Sequence, residues 1–231
     1  MSAKVRTQLR ELFPLLIGLY VPVLILVLIA RWVSFLFSIP MGTLTRDPAA
    51  LTGRSPFIGV LSHIGVLLWC AGTTICFFSF TVLHKKAFRG EFPHFFMFGG
   101  LISLILLIDD LFLFHEKVFP FYLNIPEKLV YLAYGLIIIG YVARFAKLIL
   151  KTDFIFLILA FSWFGLSIIL DLLELKLSIS ISILFEDGAK LFGIVSWFGY
   201  FAHTSFQIMN STQAQPTESP KPRLLSGENI R

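Results

Sequence analysis

Charge is scarce in this chain. Only 14% of its 231 residues are Asp, Glu, Lys or Arg, about half the share of an ordinary soluble domain. Cysteine is rarer still, with only Cys70 and Cys76. Six apart on a helix, they point in different directions and cannot bridge each other. They read as small buried hydrophobes. The five histidines are scattered, which excludes the multi-histidine boxes of iron-dependent lipid oxidases. GxSxG, HExxH, the P-loop and a strand–helix GxGxxG are all missing. No lysine sits mid-span to hold a retinal Schiff base, and no two helices carry the ExxH pair of bundle di-iron proteins. A membrane hydrolase built on serine, aspartate and histidines would find Ser62 and Asp109, but it lacks the histidine pair it needs on a late helix.

Long apolar runs are what the chain has in abundance. It is 57% hydrophobic and contains 26 Phe. A run of about 20 apolar residues matches the roughly 30 Å of bilayer hydrocarbon at about 1.5 Å per residue. A chain of this size cannot bury several such runs in one soluble core. The sequence therefore predicts an all-α, polytopic integral membrane protein: a six-helix bundle with spans at 12–38, 57–83, 95–116, 128–150, 154–174 and 182–207. Proline- and glycine-bearing connections separate them, as in "SIPMGTLTRDPAALTGRSP" and "FPFYLNIPEK". The first apolar run is too long for a signal-peptide core and no small-residue cleavage site follows it, so it is expected to be retained after a short terminus at 1–11. The connection 175–185, "LKLSISISILF", alternates Ile with Ser and reads as a tight interfacial hairpin or a short extended lid. Residues 208–231 are polar and rich in Pro and Ser, which predicts a disordered tail.

Orientation follows from charge. With six spans, both termini share a side with the 84–94 and 150–153 connections. That side holds twelve of the nineteen Lys and Arg residues but five of the fourteen acids. Lys/Arg excess marks the cytoplasmic face, so both termini are expected inside, in a plasma membrane of bacterial type. The basic balance needs no nucleic acid, because an anionic leaflet is partner enough.

Against this background the stretch "IDDLFLFHEK", 108–117, stands out. A carboxylate near the bilayer centre costs about 2.5–3.5 kcal/mol on insertion scales, and less towards the interface. Topology brings Asp109, Asp110, His115 and Glu116 to the outer third of the bilayer. Asp171 and Glu174 end the fifth span there, and Glu186, Asp187 and Lys190 open the sixth. His63 enters from the same side on the second span. On one straight helix Asp109 and Glu116 share a face and His115 points away from it. Tyr131 and Tyr134, near the outer end of the fourth span, are within reach of the acidic layer or belong to an aromatic belt.

Three functions fit such a layer. A divalent-metal site would draw on Asp109, Asp110, Asp171, Asp187 or Glu186, with His63 or His115 as nitrogen donor. Hard carboxylates with one or two imidazoles suit Mg, Mn, Ca or Fe. That metal would activate water or bind a lipid-like phosphate. A proton or cation pathway would use Glu116, Glu174 and Lys190 beside the aspartates. A membrane scaffold would use the same groups only as ion pairs that fix helix packing.

Overall fold

The computed structural model describes residues 3–55, 57–85, 90–172 and 179–213. Among these every regular element is helical. The chain divides into two units, Met1–Ile58 and Gly59–Arg231.

The first unit consists of α1 (Ala3–Leu36), α2 (Met41–Thr45) and α3 (Pro48–Thr52). Its Leu12–Leu36 portion has a mean hydropathy of 2.8, and its most apolar stretch is unburied, a composition and length that would suit a bilayer. It carries Pro14 and Pro22 internally, which membrane helices tolerate. The short α3 is fixed at both ends. Asp47 accepts from the backbone N–H groups of Ala49 and Ala50, Pro48 occupies the first turn, and Gly53 ends the helix at φ 62°.

The second unit contains α4 (Val60–Lys85), α5 (Phe92–Phe112), a wide-turn π-helical segment (Phe114–Tyr122), α6 (Glu127–Ile149), α7 (Ile155–Leu172) and α8 (Ile179–Gln213). α4 lies between α5 and α8, α7 packs on α8, and α6 packs on α5 and the π-helical segment. Missing side chains allow the closest approaches. A Cβ on Gly99 would come within 2.5 Å of the Phe201 ring, and one on Gly193 within 2.6 Å of Phe164. The core is aromatic. Phe95, Phe96, Trp197, Tyr200 and Phe201 are all but inaccessible, and Phe95–Phe96 and Trp197–Phe201 meet edge-on with centroids 5.2 Å apart. Leu67, Leu132, Ile139, Phe192 and Phe206 face outward, a distribution that suits hydrocarbon rather than water.

Among the described residues four helices are long and apolar enough to cross a membrane: Leu12–Leu36, Val60–Lys85, Phe92–Phe112 and Glu127–Ile149. Ile155–Leu170 is apolar but shorter. Each of the six expected spans falls on a helix, with three departures. The third ends at Phe112 rather than 116, because Leu113 takes the left-handed conformation, φ 54°. From Ile179 onward the 175–185 connection is helix, not hairpin or extended lid; the strand-like Ile/Ser alternation is overridden by the long helix it opens. Residues 173–178 lie outside the described residues. α8 continues to Gln213, so the expected tail begins with helix, and 214–231 again lie outside the described residues.

Candidate functional site

The last turn of α5 places Asp109 and Asp110 at the negative end of a helix dipole, next to each other and buried. Both the dipole and their mutual repulsion oppose this arrangement. The structure resolves the conflict by giving each carboxylate its own cation or set of donors.

Asp109 is enclosed by donors. The left-handed turn at Leu113 reverses the chain, so that the His115 backbone N–H donates to Asp109 Oδ1 at 2.9 Å. His115 Nδ1 lies 2.5 Å from Asp109 Oδ2. Tyr134, from α6, donates its hydroxyl to Oδ1 at 2.8 Å. A carboxylate accepts only, so His115 carries its proton on Nδ1 and turns Nε2 outward, 3.8 Å from Glu116 Oε1. The His115 ring also packs on Tyr131, centroids 5.2 Å apart. A leucine at positive φ costs about 1–2 kcal/mol, and the three bonds to Asp109 offset it.

Asp110 has a different environment. Its Oδ1 accepts from Lys190 Nζ of α8 at 2.6 Å, with the lysine side chain 37% exposed and the aspartate 5%. Its other oxygen, Oδ2, is buried without a hydrogen-bond partner. That oxygen rests over Gly65 of α4: a Cβ there would stand 3.6 Å from it and 3.1 Å from the Ile194 side chain. The charges of Glu116 and Asp109 also act on Lys190, and that of Lys190 on His115. One electrostatic cluster thus joins the ends of α5 and α8 to the π-helical segment.

The other residues singled out from sequence are distributed as follows. Glu116 is half exposed at the rim of the cluster. Glu186 is half-buried, and its backbone carbonyl accepts from Ser167 at 3.1 Å, tying α8 to α7. Asp187 is exposed. His63 is exposed on the first turns of α4, its imidazole turned away from the packed interior. The side chain of Asp171 and all of Glu174 lie outside the described residues. Among the described residues no three His, Cys, Asp or Glu side chains gather as a metal cage would require. Beside Tyr134 a cavity of about 10 Å³, lined otherwise by Ile and Leu of α5 and α6, is the size of one water.

Sequence reasoning had no sign of the chain reversal at Leu113, since leucine normally avoids positive φ. It also passed over the buried hydroxyls Thr73, Ser79, Ser103, Thr204 and Ser205. Their only signal is polar residues recurring on the inward faces of apolar helices.

The described residues define an all-helical protein with apolar helices long enough to cross a membrane and a charge-paired cluster at one end of its packed unit. The chain belongs to the family described as a domain of unknown function (DUF8692), whose model matches residues 18–204. That match includes Asp109, Asp110, His115, Glu116, Tyr134 and Lys190. No curated protein and no solved structure matches the chain.

Proposed function

We propose that this is a multi-pass cell-membrane protein, both termini cytoplasmic, whose Asp110–Lys190 pair is a proton-binding centre at the outer end of the bundle, coupling protonation to transport of a proton or cation. One observation carries the reading: Asp110 Oδ2 is buried and unpartnered within a cluster of three carboxylates, Asp109, Asp110 and Glu116, facing at most two positive charges, Lys190 and protonated His115. Excess negative charge in a low-dielectric setting favours uptake of a cation. A proton fits the confined space between Oδ2, Gly65 and Ile194; a metal would need several oxygen ligands around it. Asp109, enclosed by three donors, positions the cluster.

The test is proton flux in liposomes containing the purified protein and a trapped pH-sensitive dye, under an imposed potential. Wild type conducts or exchanges protons, and Asp110→Asn does not. Equal flux in both, or none above protein-free liposomes, removes the reading.

The divalent-metal reading keeps one specific support. The Asp109–His115 dyad leaves Nε2 facing Glu116 Oε1 across 3.8 Å, the arrangement in which a carboxylate orients a metal-ligating histidine. Elemental analysis of protein purified without chelator tests this: stoichiometric metal that Glu116→Gln removes supports a metal site, and a metal-free wild type ends it.

A further inference from the structure

We propose that a lane of hydroxyls buried along α4, α5 and α8 carries the proton from Asp110 towards the opposite end of the bundle. The inference rests on the proton-binding reading and names the route that reading requires. Buried hydroxyls in the second unit belong to Thr73 and Ser79 of α4, Ser103 of α5, and Thr204 and Ser205 of α8. The three helices that carry them are the ones whose mutual interfaces form the centre of the unit.

Their order along the bundle follows from the glycine contacts. Gly65 meets Asp110, and Gly100 meets Cys76, so α4 and α5 run antiparallel. Thr73, three residues before Cys76, is therefore level with Ser103, three after Gly100. Ser103 accepts from Trp197 Nε1 at 2.9 Å and donates to the Gly99 carbonyl. Further along, the Ser79 and Ser205 hydroxyls meet at 2.7 Å. Thr204, adjacent to Ser205, lies beside the Tyr200 hydroxyl, which is 2.9 Å from Thr152 Oγ1. The next residue is Asp153, exposed and bonded to His203 and Gln207. From Thr204 the hydroxyls of Tyr200 and Thr152 lead to the surface at Asp153.

Hydroxyls between membrane helices often serve only as interhelical hydrogen bonds. That explains Ser79, Ser103 and Ser205. It does not explain Thr73, whose Oγ1 is buried with no hydrogen bond; Thr204 is buried against the Tyr200 hydroxyl. A helical threonine normally returns its proton to the carbonyl four residues back, as Thr74 and Thr81 do. A buried hydroxyl left open in this way is a place for a transient water. Each hop makes one O–H bond and breaks another on the same oxygen, so a single proton advances and no redox partner is needed. The lane is interrupted between Thr73 and Ser79, six residues of α4 or about 9 Å, and between Asp110 and Ser103, two turns of α5 or about 10 Å. Gly65 and Ile194 flank its Asp110 end, and the entry of water there sets the rate.

The experiment is the same liposome flux assay on full-length Thr73→Val, Thr204→Val and the control Thr74→Val. Removing the unbonded Thr73 hydroxyl leaves the shape intact, so Thr73→Val melts no lower than wild type, while Thr204→Val gives up its contact with Tyr200 and melts slightly lower. Their flux falls roughly tenfold, equivalent to one added step in the barrier, while Thr74→Val matches wild type. Undiminished flux in Thr73→Val and Thr204→Val, with Asp110→Asn still inactive, overturns the route and leaves the proton centre standing. Absence of Asp110-dependent flux in wild type overturns both.

Discussion

The two ends of the packed unit solve the problem of charge in opposite ways. At the end formed by the C-terminus of α5, Asp109 and Asp110 are each about 6% exposed, and Lys190 reaches in from another helix to meet Asp110. At the other end Arg144 and Glu91 pair at 3.0 Å with both side chains more than half exposed. There Asp153 is bonded by His203 and Gln207, also in the open. Exposed pairs gain little, since water competes for both partners. Buried ones are costly to break, because the surviving charge has no other solvent. The charged end therefore behaves as a cooperative unit, and the opposite end as ordinary surface.

Substitutions sharpen that contrast in decreasing order of effect. Asp109→Ala strands the His115 imidazole, its backbone N–H and the Tyr134 hydroxyl together. It is expected to destabilise the protein by about 3 kcal/mol, read as a large drop in thermal midpoint in detergent. Lys190→Met leaves Asp110 buried and unpaired, for a loss of about 2 kcal/mol, moderated because the lysine is itself partly exposed. Adding Asp110→Asn to it restores most of that loss, and a double-mutant cycle measures the coupling. Additive losses would mean the pair is not the unit described.

At the opposite end Arg144→Ala changes stability by less than about 1 kcal/mol. A larger drop would erase the distinction between the ends. The smallest effect concerns Asp153, whose carboxyl is held below its usual range by the His203 hydrogen bond and then by that from Gln207. A carboxyl with a lowered folded pKa stabilises the fold above its unfolded value, and that contribution is lost as pH falls through the folded one. The small gap in melting temperature between wild type and Asp153→Asn is therefore present at neutral pH and closes on acidification. A gap that persisted in acid would show that the bonds do not depend on the charge.

The sequence made some of this legible and not the rest, for identifiable reasons. Helix positions were readable because apolar length and proline punctuation act locally, as in 128–150 against the observed Glu127–Ile149. Lys190 was visible as a cation on the acidic side, but its partner was not: helical spacing suggests Glu186, and only the packing of α8 beside α5 and α4 brings it to Asp110. The adjacency of Asp109 and Asp110 suggested one shared task. Their environments separate them, because Leu113 at φ 54° folds His115 back onto the first and leaves the second to another helix. No residue type announces that turn. Thr73 was equally silent, since a buried unbonded hydroxyl is a property of packing, not of spacing.

The most direct measurement is a pH titration of the carboxylic C=O stretch by infrared difference spectroscopy on wild type, Asp109→Asn and Asp110→Asn in lipid. A protonated-carboxyl band that grows on acidification, survives in Asp109→Asn and vanishes in Asp110→Asn is the predicted result. A band that persists in Asp110→Asn would contradict the assignment of the exchangeable proton to that residue.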